Sequence, residues 1–186
     1  HDLTMPGVTH TPMSHIDGIE DRLVMMTATT KTFNIAGSHS GNVIIANPDL
    51  RARFGSRMAA LGVSPNSFGL FMATAAYSPE GAAWVDELCA YLDENRKTFD
   101  TGINAIPGLQ SMNLESTYLA WVDFTGTGMT EDEITSRIQE SAKIAASPGA
   151  GFSKACATYM RFNLATSTAR VEEAVKRLQF AFGDLQ

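Results

Sequence analysis

The chain has 186 residues, 44% hydrophobic and 18% charged, which is enough for one domain with a sizeable core or for a domain plus a small lobe. This composition excludes an intrinsically disordered chain, and the lack of any run of about 18 apolar residues excludes a membrane-spanning helix. A net charge of −6 disfavours nucleic-acid binding, and two cysteines are too few for a disulfide framework, so we expect a cytoplasmic protein.

The first half of the chain contains two predicted strands followed by two predicted helices. In chain order the elements are a strand at 23–26, a loop at 34–42, a strand at 43–46, a helix from Asn47-Pro48 to Gly62, and a helix from Ser78-Pro79 to about Phe99. Short apolar or β-branched runs predict the strands, and Asn or Ser before Pro is typical of a helix start. The apolar spacing predicts a buried face of Trp84, Leu88, Tyr91 and Leu92 on the second helix.

The second half continues the alternation of helices and strands. The predicted elements are a strand at 117–124, a helix after Thr130, a short strand at 144–146, a strand at 159–164, and a final amphipathic helix with Val171, Ala174, Val175 and Leu178 on its apolar face. Alternation of this kind predicts the α/β class. We expect a domain boundary within the long helix, near residues 96–108, which divides the chain into 1–100 and 101–186.

Most familiar catalytic motifs are missing from the sequence. It contains no Walker loop, GxGxxG, CxxC, HExxH or GxSxG pattern. His10 and His15 could supply two metal ligands, but a protein site needs three or four, and no third is evident. The sequence therefore predicts no metal site.

Lys31 is the first candidate for chemistry. It directly follows the predicted buried strand and is surrounded by small hydroxyl residues. Desolvation at the mouth of a buried strand favours the neutral amine, which can form a Schiff base with an aldehyde. The alternative is a lysine that simply extends from a strand end into water.

Arg161 is the second candidate. It lies inside the strand pattern of residues 159–164, among apolar neighbours. A bidentate carboxylate is the natural partner for a guanidinium in such a strand. An internal salt bridge, or an exposed face of the strand, would explain the same pattern.

Several segments, taken together and in order, resemble a known family. They are residues 30–37 (TKTFNIAG), 42–47 (NVIIAN), 115–123 (ESTYLAWVD), 147–149 (SPG) and 161–165 (RFNLA). The first is similar to the lysine loop of fold-type I pyridoxal-phosphate enzymes. Within that superfamily the chain resembles the aminotransferase-like carbon–sulfur lyases, the cystathionine β-lyases of the MalY/PatB type.

The resemblance implies a role for each candidate residue. Lys31 would form the Schiff base with pyridoxal 5′-phosphate and then move the proton of the substrate Cα. Thr30 would help to hold the phosphate, and Arg161 would bind the α-carboxylate of a small amino acid. The same residues serve β-elimination to pyruvate, ammonia and a thiol, and they also serve transamination. The resemblance therefore leaves a C–S β-lyase and an aminotransferase both open.

The resemblance also implies an architecture. Residues 1–100 would be the later part of the cofactor-binding large domain, with a mainly parallel sheet and the long connecting helix, and 101–186 a small α+β domain. The aspartate that pairs with the pyridinium nitrogen would precede His1, so we expect a C-terminal half of a subunit that works as a homodimer, without nucleic-acid or membrane partners. The competing hypothesis is a non-catalytic half-domain that associates with a partner but does not bind the cofactor alone.

Overall fold

The computed structural model of the protein describes residues 1–185 and divides them into two compact units. We call the first the lysine unit; it comprises Asp2 and residues 9–87. We call the second the arginine unit; it comprises His1, residues 3–8 and residues 88–185. The division falls within the long helix α3 (Pro79–Asn104).

The lysine unit contains two short strands, two helices and the beginning of α3. Its elements are β1 (Met25–Thr27), β2 (Asn42–Ile44), α1 (Pro48–Ala60) and α2 (Ser67–Ala76). The predicted start of α1 is confirmed, because the Asn47 side chain accepts hydrogen bonds from the amides of Asp49 (2.9 Å) and Leu50 (3.0 Å). The helix ends just before Gly62, whose φ of +64° is the left-handed geometry expected at a helix end.

Helix α2 was not among the predicted elements. Asn66 caps it by accepting a hydrogen bond from the amide of Gly69 at 2.7 Å. Its sequence SFGLFMATAA is apolar nearly all round, so it lacks the polar face that makes helical periodicity visible in a sequence.

The arginine unit is built on a four-stranded sheet. Its elements are β3 (Gln110–Ser111), β4 (Leu119–Asp123), α4 (Glu131–Ser136), β5 (Ser147–Pro148), β6 (Tyr159–Asn163) and α5 (Thr168–Ala181), with strand order β3-β4-β6-β5. The predicted strands at 117–124 and 159–164 and the final helix are confirmed. The short strand predicted at 144–146 is wrong: the strand is Ser147–Pro148, and the Ile144 amide instead bonds the carbonyl of Ile138 at 3.0 Å.

Every strand pair within residues 1–185 is antiparallel, including β1 with β2. The expected parallel pairing is therefore not found in this part of the fold, although helices and strands alternate as predicted. Parallel neighbours are usually joined by a crossover helix, whereas residues 28–41, which connect β1 and β2, contain no α-helix. No helix within this range is both long and apolar enough to cross a bilayer.

The buried face predicted for α3 is only partly correct. Leu92 is buried, but Trp84 and Tyr91 are exposed. Trp84 stacks on Phe33 with ring centroids 5.4 Å apart, and the Tyr91 hydroxyl accepts a hydrogen bond from the Thr168 amide at 2.8 Å. Both aromatic rings pack on one side and face solvent on the other, as amphipathic side chains do.

One face of the four-stranded sheet forms the core of the arginine unit. Alternate residues of β4 and β6 point into it: Ala120, Val122, Met160 and Phe162 are all buried. Residues 3–8 join this unit through an isolated bridge from Thr4 to Ser116. The opposite face of β4 and β6 lies outside this core, and Arg161 lies on that face.

Candidate active site

Lys31 lies in a tight turn of residues 28–34, which we call the lysine turn. Two backbone hydrogen bonds close it, from the Phe33 amide to the Thr29 carbonyl and from the Ile35 amide to the Thr30 carbonyl, each 3.0 Å. Asn34 takes a φ of +53°, which asparagine tolerates better than most residues. The backbone on both sides of Lys31 is therefore held in one conformation.

The residues that flank Lys31 anchor the turn to the lysine unit. Thr29 and Thr32 are buried, 3% and 5% exposed, and the Thr32 hydroxyl donates to Asp2 Oδ2 at 2.9 Å. Lys31 between them is exposed. This arrangement fixes the Cα of Lys31 and leaves the long side chain to project outward.

The desolvation predicted for Lys31 is not found within residues 1–185. The prediction assumed that the lysine follows a buried strand directly, but β1 ends at Thr27 and the exposed face of that strand carries Met26. Three residues of chain then carry Lys31 away from the strand into the turn. Its environment here resembles the alternative of a lysine that extends into water.

Two clefts lie beside the lysine turn. One, of about 320 Å³, is lined by Asp2, Phe33, Ala76, Tyr77, Ser78, Ala82, Val85 and Asp86. The other, also about 320 Å³, is lined by Thr29, Ser40, Gly41, Asn42, Val43, Pro65, Gly69, Leu70 and Ala73. Lys31 lines neither cleft, but its neighbours Thr29 and Phe33 do, so a small ligand at either would be close to the turn.

Arg161 is in the strand predicted for it, at the middle of β6. In the sheet register it lies opposite Trp121 of β4 on one side and Ser147 of β5 on the other. Its guanidinium carbon is 4.6 Å from the centroid of the Phe152 ring. Within residues 1–185 no carboxylate forms an ion pair with it, so the internal salt bridge considered from the sequence is absent from this range.

Asp123, an acidic residue on the same face of the sheet as Arg161, is hydrogen-bonded to a residue other than Arg161. Asp123 lies opposite Tyr159 in the register and accepts a hydrogen bond from the Thr125 amide at 2.8 Å. Burial by itself raises the pKa of Asp123, but hydrogen bonds from Thr125 and Tyr159 outweigh it, so the pKa is lowered overall. The neighbouring Asp123 carboxylate in turn raises the pKa of the Tyr159 hydroxyl.

These side chains have the chemistry that an aldehyde cofactor with a phosphate group requires. Lys31 supplies a primary amine on an anchored backbone, and the half-buried Thr30 supplies a hydroxyl next to it. Arg161 supplies a guanidinium that no carboxylate of the described range neutralises. Lys31 and Thr30 of the lysine unit thus have the groups that suit an aldehyde cofactor with a phosphate, and Arg161 of the arginine unit has the group that suits a carboxylate.

Sequence reasoning missed three neighbours of the candidate residues. Asp2 anchors the lysine turn from 30 positions away, and Phe152 and Trp121 surround Arg161. Trp121 was in a predicted strand, but the register that puts it opposite Arg161 is a tertiary property. No local signal in the sequence pairs Phe152 with Arg161.

Known proteins resemble this chain along nearly its whole length. Cystathionine β-lyase PatB of Bacillus subtilis (strain 168) is 31% identical over 183 residues, covering 97% of this chain and 47% of PatB. Cystalysin from Treponema denticola, whose crystal structure contains pyridoxal 5′-phosphate, is 32% identical with a TM-score of 0.90, covering 100% of this chain and 48% of cystalysin. A pyridoxal-phosphate-bound candidate aminotransferase from Clostridium difficile 630 is 30% identical with a TM-score of 0.90, covering 97% and 47%.

No protein-family profile matches the chain. The chain spans about half the length of the relatives that it matches, which agrees with the half-subunit expected from the sequence. The α/β class and the resemblance based on the lysine segment are both confirmed by these relatives. The chain is thus a homologue of the pyridoxal-phosphate-dependent cystathionine β-lyases and aminotransferases, and it has their fold.

Proposed function

We propose that the protein is a pyridoxal-phosphate-dependent carbon–sulfur β-lyase acting on a small amino acid. The observation that carries the proposal is the alignment with PatB and cystalysin over 97% and 100% of this chain. An anchored turn that presents the amine of Lys31, and an arginine whose charge is not neutralised, support it. An aminotransferase is the second candidate, because a pyridoxal-phosphate-bound candidate aminotransferase matches equally well in fold.

Lys31 is the acid–base group of this proposal. The cofactor, when bound, supplies an electron sink for the negative charge that develops at the substrate Cα. Lys31 Nζ takes the Cα proton and holds it, which requires a neutral amine at that moment. Because Lys31 is exposed in this chain, a bound ligand or further protein must shield it from water to favour that neutral form.

Arg161 orients the substrate in this proposal. Two parallel hydrogen bonds from a guanidinium to a carboxylate fix the plane of the carboxylate as well as its position. That fixed plane sets which bond at the substrate Cα is aligned for cleavage. Thr30 contributes a hydroxyl to the phosphate, as an addition to backbone amides.

Product analysis tests the proposal and separates it from transamination. We expect pyruvate release from L-cystathionine or L-cysteine without an added 2-oxo acid, whereas an aminotransferase needs that second substrate. Lys31→Ala should lower the rate by about a thousandfold or more, since removal of a positioned proton-transfer group costs about 10²–10⁴. Lys176→Ala, an exposed lysine of α5, is the matched control and should leave the rate unchanged. Equal activity of Lys31→Ala would overturn the proposal.

We also propose that the working protein is a homodimer, as the resemblance implies. Helix α2 supports this, because it exposes Phe68, Phe71 and Met72 within two turns, and groups of exposed apolar side chains mark association surfaces. Light scattering should give twice the mass of one chain, and Phe71→Glu should shift it towards the monomer. Phe180→Glu, equally exposed on α5, is the control and should leave the dimer intact. A wild-type protein that is monomeric at micromolar concentration would contradict the homodimer proposal.

The non-catalytic alternative makes a different prediction for the same preparation. It expects a folded, dimeric and colourless protein that takes up no pyridoxal phosphate when the cofactor is added. The lyase proposal expects a yellow protein whose absorption band is absent from Lys31→Ala.

A further inference from the structure

We propose that Phe152, braced by Trp121, positions the guanidinium of Arg161 for binding a substrate carboxylate. This inference rests on the proposed function, in which Arg161 binds that carboxylate. It assigns to an aromatic pair a role that the sequence did not indicate. Phe152 acts through Arg161 and is therefore a positioning residue.

The geometry begins with the ring under the cation. The Arg161 guanidinium carbon is 4.6 Å from the Phe152 centroid, within the range of about 6 Å in which a ring attracts a cation. Phe152 in turn meets Trp121 edge to face, with centroids 5.6 Å apart and ring planes at 78°. Trp121 lies directly opposite Arg161 in the β4–β6 register. Phe152 thus contacts both the arginine and the tryptophan that lies opposite it in the sheet.

Trp121 is itself held in place from its other side. It stacks on Tyr159 with centroids 5.6 Å apart and an interplanar angle of 17°. Tyr159 lies opposite Asp123 in the β4–β6 register, and its position two residues before Arg161 puts both side chains on the same face of β6. The brace therefore extends along this face of the sheet from Phe152 through Trp121 to Tyr159.

The segment that carries Phe152 is also fixed. The Phe152 amide donates to the Gly149 carbonyl at 2.9 Å, which closes a short turn after β5. A Cβ on Gly149 would overlap the carbonyl oxygen of Cys156 and lie 2.8 Å from that of Tyr159, so the turn is packed against the backbone leading into β6. Yet the Phe152 side chain is 55% exposed. A rigid turn that presents an exposed ring to a cation is better suited to positioning that cation than to filling a core.

An aromatic ring beside Arg161 leaves the guanidinium free to bind a substrate carboxylate, whereas a protein carboxylate would not. A ring attracts the guanidinium through its quadrupole but leaves its positive charge and its hydrogen-bond donors unpaired. A carboxylate in the same place would occupy those donors and compete with the substrate. Asp123, on the same face, accepts a hydrogen bond from the Thr125 amide and forms no ion pair with Arg161 among the described residues.

The test compares Phe152→Leu with Phe152→Tyr in the cofactor-loaded protein. Leucine keeps apolar bulk but removes the ring, so KM for whichever of L-cystathionine and L-cysteine is turned over should rise about three- to thirtyfold, while kcat changes less than about twofold. Tyrosine keeps the ring and should restore KM to within about twofold. A direct readout is calorimetric titration with propionate, a carboxylate without an amine, whose affinity should weaken by the same factor in Phe152→Leu.

A second pair of variants shows whether Phe152 acts through the arginine. In an Arg161→Met background, which removes the cation, Phe152→Leu should add less than about twofold to the loss, because the ring then has no charge to position. An equal further loss in that background, or unchanged propionate binding in Phe152→Leu, would overturn the inference alone. If Arg161→Ala leaves KM and propionate binding unchanged, the proposed role of Arg161 fails and the inference fails with it.

Discussion

The two units of the molecule differ in how they bury apolar side chains. The arginine unit encloses a continuous core that includes Phe99, Phe124, Phe162 and Phe182, and several of its side chains are fully buried. Among residues 9–87 of the lysine unit, Ile45 and Ala76 are the only buried apolar side chains. The arginine unit therefore has the apolar burial of an independent domain, and the lysine unit does not.

The lysine unit instead leaves much of its apolar surface uncovered. Its exposed large apolar side chains include Met26, Val43, Ile44, Leu61, Val63, Phe68, Leu70, Phe71 and Met72. Exposed apolar surface of this extent is typical of a region that another protein surface or a ligand covers. The proposed carboxylate-binding arginine therefore lies on a unit with its own apolar core, whereas the proposed cofactor-binding lysine lies on a unit whose apolar side chains are largely exposed.

A matched pair of phenylalanine truncations should show the largest difference in stability between the two units. Phe124 is fully buried and packs on Phe182 with centroids 5.4 Å apart, whereas Phe71 is 76% exposed. In a preparation diluted until the chain is monomeric, we expect Phe124→Ala to lower the free energy of unfolding by about 3–5 kcal/mol and Phe71→Ala to change it by less than about 0.5 kcal/mol. Chemical denaturation followed by circular dichroism measures both. Similar losses from the two changes would mean that the units do not differ as described.

A buried amide in the arginine unit should give the next largest effect. Asn95 is fully buried; its side-chain amide donates to the carbonyls of Leu164 (3.0 Å) and Thr166 (2.9 Å), and its oxygen accepts from the Thr168 hydroxyl (2.9 Å). Asn95→Ala removes these three hydrogen bonds, each of which contributes about 1 kcal/mol, so we expect a loss of about 3 kcal/mol in the free energy of unfolding.

The exposed residue Asn113 provides the control for that substitution. Asn113→Ala should change the free energy of unfolding by less than about 0.5 kcal/mol. A small effect of Asn95→Ala would mean that water replaces the lost amide, and the proposed link between α3 and the segment after β6 would be weaker than the hydrogen bonds suggest.

The charge of Asp93 in α3 should contribute a smaller, pH-dependent part of the stability of the arginine unit. Hydrogen bonding from Lys97 is the main cause that lowers the pKa of Asp93 below its ordinary value of 3.8; Arg96 adds to it, and burial opposes it. Because the folded-state pKa is lowered, the stabilisation is present above about pH 4 and disappears as the pH falls through the folded-state pKa. Asp93→Asn should therefore cost about 2 kcal/mol at pH 7 and progressively less below pH 4.

Glu94→Gln is the control for this measurement, since Glu94 contacts the same lysine at 2.8 Å but is exposed. An exposed ion pair contributes little, so the change should stay below about 0.5 kcal/mol at every pH. A cost of Asp93→Asn that does not vary with pH would contradict the assigned role of its charge.

The sequence predicted local elements well and tertiary environments poorly. Asn47 before Pro48 located the start of α1, and alternation located β6 with Arg161 in it. Caps and alternation are properties of neighbouring residues, so they can be read from one chain. Burial of Lys31 and of Trp84 depends on which segments cover them, and that information is not local.

The same limit explains the contacts around the candidate residues. Thr32 bonds to Asp2 across 30 positions, and Arg161 meets Phe152 through a turn between two strands. Neither pairing leaves a spacing pattern, because both depend on how the chain closes on itself. The resemblance in the lysine segment was informative about family for the opposite reason, since it lies in consecutive residues.

Borohydride reduction of the cofactor-treated protein tests directly whether Lys31 is the lysine that binds pyridoxal phosphate. It fixes a Schiff base between lysine and pyridoxal phosphate as a stable amine, which peptide mass spectrometry can locate. The chain offers five lysines, at positions 31, 97, 143, 154 and 176. We expect the reduced cofactor on Lys31 and none on the Lys31→Ala protein. Stoichiometric labelling of another lysine, or labelling that persists unchanged in Lys31→Ala, would contradict it.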